Sequence, residues 1–253
     1  MKMPISFFKY FPAPKYIGMP HVGFDISSNA IRYIELVKSP KGLTLGRFGT
    51  QDLSTSVVFD DKLASNQDLI LSLKKLQKAN RFNFVEISIP EEKAYLFTME
   101  IPSGESEAVR NHIEFHLEEN VPIALADAVF DYHIIKKGNK KGVDFASVSV
   151  VPRVVIEDYI SLFEKCGMTP VSFLIENQAI TRSIIGMEDL ATYLVVNIGR
   201  TKTVLSIVSE QAVQFTSTVN IGGEDFATAI AKENSISKEE AEKMIRDKGF
   251  SRT

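Results

Sequence analysis

The chain has one cysteine and no tryptophan in 253 residues. A lone thiol, Cys166, rules out an internal disulfide and leaves no cysteine set for a structural metal site. It reads as a small, buried or half-buried residue near a helix end. No apolar run is long enough for a membrane span, and no signal-peptide pattern opens the chain. A cytoplasmic location is the default expectation. An excess of one charge is also missing: the formal net charge is −3, which offers no bulk attraction to nucleic acid. There is no Walker phosphate loop, no Ser/His/Asp hydrolase pattern and no zinc ribbon. What is present is 44% hydrophobic and 24% charged residues, an ordinary globular composition with a core large enough for one or two domains.

The stretch that organises the rest is Val22–Leu36, V-G-F-D-I-S-S-N-A-I-R-Y-I-E-L. An apolar strand carries Asp25, a polar turn passes through Ser27, Ser28 and Asn29, and a second strand resumes at Ile31. Such a turn gathers backbone N–H groups and hydroxyls in a small space, which suits a phosphate. The acid before it is placed to hold Mg²⁺ through water. A plain hairpin with a polar turn would read the same way. Tyr193–Val208, Y-L-V-V-N-I-G-R-T-K-T-V-L-S-I-V, repeats the layout with Asn197, Gly199 and a returning strand through Thr203, Leu205 and Ile207. A third turn, Ile221-Gly222-Gly223-Glu224, opens a helix.

Two strand–turn–strand units far apart in one chain resemble the actin-like ATPase superfamily. Within it they resemble the PilM family of type IV pilus assembly proteins, with the cell-division protein FtsA as a cousin. The resemblance covers about residues 20–250. It implies an α/β fold of two actin-like (ribonuclease H-like) lobes with an inserted α+β subdomain 1C of the SHS2 kind, and a second lobe left incomplete. It divides the chain into an aromatic and basic extension (1–20), subdomain 1A (21–93), subdomain 1C (94–175), a connecting helix (176–190), subdomain 2A (191–225) and the start of 2B (226–253).

Local patterns fill this plan. Residues 66–80 read as a helix with Leu69, Leu73 and Leu76 on one face, and 84–89 as a strand. In the insert, a strand at 94–101 precedes a helix at 105–120 with the stripe Val109, Ile113, Leu117. Strands at 129–135 and 145–151 flank the turn 138–142, and a helix at 152–166 stops at Gly167. A last strand at 171–175 closes the insert. Residues 176–185 are a helix. Helices at 226–232 and 238–248 follow, the second opened by a Ser237/Glu240 capping box. The segment 1–20 sets Phe7, Phe8, Tyr10 and Phe11 among lysines and prolines, a composition suited to peripheral contact with an anionic membrane surface.

By resemblance, Asp25, Ser27, Ser28 and Asn29 form the first phosphate turn, with Asp25 on Mg²⁺ through water. Gly199, Arg200, Thr201 and Thr203 form the second, and Gly222 and Gly223 approach the nucleotide, ATP or ADP. Glu242 matches a position that touches ribose, and Glu176 one near the attacking water. Glu176 reads equally as a helix N-terminal acid, and Glu242 as a solvated helix face. Two departures weaken the site: Ser27 stands where the family has glycine, and Asn197 where it has an acid. His112 and His116 lie one helical turn apart but read as a solvated edge rather than a metal pair. Lys136, Lys137, Lys140 and Lys141 read as a charged hairpin tip without the aromatics of a nucleic-acid site. The resemblance implies a scaffold at the inner face of the cytoplasmic membrane. It would bind the cytoplasmic tail of a PilN-like inner-membrane protein through residues 95–132, with self-association left open. The alternatives are an ATP-dependent enzyme of the sugar-kinase kind and a structural module that has lost its nucleotide.

Overall fold

The computed structural model describes residues 20–39, 42–54, 57, 62–103, 106–137, 143–186 and 188–249. The aromatic segment before residue 20 and the turn at 138–142 lie outside them. The chain forms two compact units: Met1–Ala94 with Ala126–Val129 and Val151–Ala179, and Tyr95–Leu125 with Phe130–Val150 and Ile180–Thr253.

The first unit is built on a five-stranded sheet. Strands β1 (His21–Ile26), β2 (Ala30–Ser39) and β3 (Gly42–Asp52) form an antiparallel meander. Beside β1 lie β4 (Phe84–Ile89) and then β8 (Thr169–Ile175), both parallel to it, in the order β3-β2-β1-β4-β8. Alternation along β1 buries Val22, Phe24 and Ile26, as a period of two requires. Phe24 is stacked on Tyr33 at 6.0 Å and meets the edges of Phe82 and Phe163 at 5.6 and 5.5 Å. Helix α1 (Gln67–Asn80) buries Leu69, Ile70, Leu73 and Leu76 in the same core. Its first turn is capped by Asn66, whose side chain accepts from the Leu69 N–H. Helix α3 (Arg153–Lys165) adds Tyr159, Leu162 and Phe163. Its Asp158 accepts from the N–H groups of Leu63 and Ala64 at 2.7 and 3.2 Å, tying a short turn to a helix some ninety residues on. Cys166 is buried where α3 ends. Gly167, at φ 75°, follows it, with the Gly167 and Met168 N–H groups returning to Glu164 and Phe163. On the other face of the sheet the β2–β3 hairpin leaves Ile34, Leu36, Leu45 and Phe48 exposed.

Strand β8 and helix α3 correct the sequence reading. They were expected to close the inserted block, but β8 pairs parallel with β4 and α3 packs into the first unit's core. Its segment V-S-F-L-I suits a strand with neighbours on both faces as well as one at an insert's edge. Which sheet it joins is a matter of distant pairing that local pattern does not carry.

The second unit holds two three-stranded sheets. In one, β5 (Tyr95–Pro102), β7 (Val143–Pro152) and β6 (Ala128–Lys137) lie in the order β5-β7-β6. Helix α2 (Ser106–Asn120) runs from β5 towards β6 and buries Val109, Ile113 and Leu117. Between the units' spans runs α4 (Glu176–Ile184). In the other sheet, β9 (Tyr193–Ile198), β10 (Thr203–Ser209) and β11 (Ala212–Val219) form a second meander, β11-β10-β9. Helices α5 (Gly223–Asn234) and α6 (Lys238–Lys248) follow. The Ser147 hydroxyl donates to the Val213 carbonyl at 3.0 Å, joining the two sheets. On β10 the buried positions are Val204, Ser206 and Val208, so Thr203, Leu205 and Ile207 face the other way.

Truncating Leu73, which is fully buried in the first core, should cost ~2–5 kcal/mol in urea unfolding. Leu71→Ala, two residues away but 65% exposed, should stay within about 0.5 kcal/mol of the parent. Equal losses would show that α1 presents a different face to the sheet.

Candidate functional site

In the first unit the carboxyl ends of three parallel strands meet at one edge. That edge carries Asp25 near the end of β1, Glu91 and Glu92 after β4, and Glu176 and Asn177 after β8. In open α/β sheets this is the edge outside which ligands bind. The acids there act on one buried group, the Tyr159 phenol. Burial raises its pKa far above the ordinary range, and the charges of Asp25, Asp158, Glu92 and Glu176 push it the same way. Asn177 is buried, and neither of its amide atoms has a hydrogen-bond partner among the described residues. Sequence reasoning missed Asn177 and Tyr159, and no local signal marked them.

The turn after β1 is self-satisfied to a large extent. The Ser27 N–H donates to the Ala30 carbonyl at 2.9 Å, and the Ser27 hydroxyl to the same oxygen at 3.0 Å. The carbonyls of Asn29 and Ser28 accept from Leu53 and Val57. Asp25 lies directly across from Arg32 in the hairpin register. Arg32 Nη1 donates to Asp25 Oδ2 and to Ser27 Oγ, each at 3.3 Å. Burial pushes the Asp25 carboxyl up, against the pull of the Arg32 guanidinium. Mg²⁺ asks for near-octahedral oxygen ligands and keeps several waters. Asp25 supplies one carboxylate, and a metal there would have to share or displace Arg32. The ion pair was legible in principle, since a tight turn at 27–29 fixes which residue faces Asp25.

In the second unit the structure brings Gly199, Arg200, Thr203, Gly222 and Gly223 together. The Gly199 N–H donates to the Lys202 carbonyl at 2.8 Å, closing the β9–β10 turn. The Gly223 and Glu224 N–H groups donate to the carbonyls of Gly199 and Arg200, each at 2.9 Å. The Gly222 N–H donates to Asp225 Oδ2 at 2.8 Å, and the Thr203 hydroxyl to the Ile221 carbonyl at 2.7 Å. Arg200 also pairs with Glu224 through its side chain. That bond, with lesser help from Lys238, holds the Glu224 carboxyl below its usual range. The start of α5 is therefore anchored on the preceding turn, and three of its first N–H groups are already used. Thr201 stands exposed at the turn's tip. Asn197, the neutral counterpart of Asp25, is on β9 across from Val204. Glu242 is half-buried on α6 and makes no hydrogen bond or ion pair among the described residues.

His112 and His116 have rings 4.6 Å apart, and His116 Nδ1 meets Glu119 at 2.9 Å. Among the described residues no three metal-ligating side chains converge, and no helix is long and apolar enough to cross a membrane. On the same helix Phe115 points outward, 80% exposed, on the side opposite the stripe Val109, Ile113 and Leu117.

Comparison with known proteins gives this arrangement a setting. A family model described as type IV pilus assembly protein PilM matches residues 23–253. Among solved structures the chain is similar to one described as a PilM–PilN type IV pilus biogenesis complex. The TM-score is 0.73 at 17% identity, covering 91% of this chain and 70% of that one. It is also similar to the cytoplasmic domain of EpsL, an inner-membrane component of the type II secretion system of Vibrio cholerae. There the TM-score is 0.52 at 15% identity, with 90% and 78% covered. The ethanolamine utilization protein EutJ from Carboxydothermus hydrogenoformans gives 0.51 at 16%, with 90% and 61% covered. The fold is the mixed α/β actin-like ATPase fold.

The anchoring of α5 makes a sharp prediction. A Cβ at Gly222 would lie 2.5 Å from the Arg200 carbonyl oxygen and 2.7 Å from the Lys202 nitrogen, whereas one at Gly223 meets nothing closer than 3.7 Å. Gly222→Ala should speed hydrogen exchange at the Gly223 and Glu224 amides at least about tenfold, a local loss of about 1.4 kcal/mol or more. Gly223→Ala should leave the Glu224 amide near parental. Parental exchange in Gly222→Ala would show that the two turns are not held in contact.

Proposed function

The chain belongs to the type IV pilus assembly protein PilM family, and on that premise we propose that it is a cytoplasmic scaffold that docks the tail of a PilN-like inner-membrane protein. The family match over residues 23–253 carries the reading. The complex named for the similar solved structure supports the choice of partner. We assign the tail to β5, α2 and the start of β6, within residues 95–132. Phe115, at 80% exposed against 38% for Tyr95, is its most exposed aromatic among the described residues, with the ring of His116 against it at 5.0 Å, and aromatic anchors are what peptide interfaces use most. Docking there would hold the protein at the inner face of the membrane, with the segment 1–20 as a second contact.

A peptide copying the tail of the membrane protein encoded next to this chain should bind the full chain with a micromolar Kd, about −8 kcal/mol. Phe115→Glu should weaken it at least about tenfold with an unchanged melting temperature. No binding by the folded chain at millimolar peptide would end the reading. Binding unaffected by Phe115→Glu would move the site elsewhere.

A nucleotide is the second ligand we propose. We assign phosphate to Ser27, Ser28 and Asn29 and to Gly199, Arg200, Thr201 and Thr203. Gly222 and Gly223 allow close approach, Glu242 is assigned to ribose, Glu176 to water, and Asp25 to Mg²⁺ through water. Because Arg32 holds Asp25 and Asn197 carries no charge, binding should be weak and hydrolysis slower than about 1 per second. Arg32→Ala should increase the Mg²⁺ dependence of ATP binding in calorimetry. Asp25→Ala should remove that dependence while ADP affinity without metal stays within about twofold, less than 0.5 kcal/mol. Equal Mg²⁺ dependence in the parent and in Asp25→Ala would take Asp25 out of the site, and turnover at ordinary enzyme rates would refute the weak site.

A further inference from the structure

Helix α2 carries two histidines along one edge. His112 and His116 are four residues apart, which stacks them on one side of the helix, and their rings lie 4.6 Å apart. Ile113 and Leu117, the residues that follow them, are fully buried and fix how α2 presents that edge. His116 Nδ1 meets Glu119 Oε2 at 2.9 Å. An ionised carboxylate only accepts, so Nδ1 holds the proton and the lone pair of the neutral ring sits on Nε2. His112 makes no hydrogen bond or ion pair among the described residues. Its neighbours are engaged elsewhere: Arg110 bonds Glu114 at 3.0 Å, and Glu118 accepts from the Leu125 N–H at 2.8 Å.

We propose that His112 and His116 form a two-histidine site for a borderline divalent transition cation such as Zn²⁺ or Cu²⁺, with Glu119 as the residue that positions the His116 ring. Spacing is the first reason. Zn–N bonds of about 2.0–2.1 Å put each ring centre about 3.2 Å from the metal. For N–metal–N angles of about 90–109°, two such ring centres lie about 4.5–5.2 Å apart, and the observed separation falls inside that window. The hydrogen bond is the second reason. A carboxylate on the far ring nitrogen fixes the tautomer and raises the basicity of the nitrogen left for the metal. Helical spacing alone reads as a solvated edge, and the Glu119 bond is what sets this pair apart. Charge is the third reason. Helix α2 carries Glu107, Glu114, Glu118 and Glu119 against Arg110 alone, a local field that favours a cation. Mg²⁺ and Ca²⁺ are harder and take oxygen sets instead. Two protein ligands with water at the remaining positions make a site of modest affinity. It is independent of the peptide and nucleotide readings.

Calorimetric titration of the untagged full chain with Zn²⁺, near neutral pH, tests it. The parent should bind one Zn²⁺ per chain with a micromolar Kd. His112→Ala and His116→Ala should each weaken binding at least about tenfold, and Glu119→Gln about tenfold. His133→Ala, on β6, should leave the affinity within about twofold. In proton magnetic resonance the ring signals of His112 and His116 should shift together with Zn²⁺ and stay in place with millimolar Mg²⁺. Circular dichroism checks that each variant folds. Where an alanine variant does not, the asparagine variant is used with the same expectation. A folded parent that binds no Zn²⁺ below about 1 mM overturns the proposal. So does binding that survives loss of both histidines, binding that His133→Ala removes, or parental affinity in Glu119→Gln.

Discussion

Phe24 is the contact on which the first unit depends. Its ring meets Tyr33, Phe82 and Phe163, which arrive from β2, from the loop after α1 and from α3. Burying this ring fixes the parity of β1, because strand side chains alternate. With Phe24 inward, Val22 and Ile26 follow it, and Asp25 is turned to the opposite face. The hairpin register then gives Asp25 one cross-strand neighbour, Arg32. The electrostatics of the candidate site therefore follow from an apolar packing choice one residue away. Slipping the register by one residue would bury a carboxylate and expose a core aromatic together.

Arg81 and Arg47 show how the edges of that core are finished. Arg81 ends α1 at φ 57°, its N–H returning to the Gln77 carbonyl. Arg47 pairs with both oxygens of Glu35 at 2.7 Å and lies 4.7 Å from the centre of the Phe82 ring. Tyr33 covers the bare backbone of Gly49 on the neighbouring strand, a way for an aromatic to protect a glycine near a sheet edge. In the second unit the corresponding task falls to backbone, with the Gly222–Glu224 segment laid on Gly199–Arg200. Both turns are thus held by main-chain hydrogen bonds together with an ion pair, Asp25–Arg32 at the first and Arg200–Glu224 at the second.

Much of this was readable from local pattern. Strand β4 matches its expected bounds, the stripes Leu69–Leu73–Leu76 and Val109–Ile113–Leu117 are buried, and Ser237 and Glu240 form the expected box at the start of α6. Strand β11 is not legible in the sequence, and its turn explains why. Glu210 and Gln211 both hold positive φ, 52° and 64°, the conformation that Asn-Gly usually announces. The destination of β8 was hidden because pairing with β4 is a long-range fact. The site was legible as two turns. It was not legible as an ion pair in one and a closed set of donors in the other, because those depend on which strand faces which.

Strand β8 also sets an order of events during synthesis. The sheet begun by β1 gains its fifth strand only when residues 169–175 are made, eighty positions after β4 ends at Ile89. Translation at roughly 5–20 residues per second puts about 4–16 seconds between them. In that interval β4 is an open, apolar edge, and the strands β5–β7 emerge beside it. Strand addition is indifferent to which chain supplies the strand. The insert thus has to pair within itself before β8 emerges, and the Asp158 bonds to Leu63 and Ala64 come late, closing a turn that has waited since the first third of the chain.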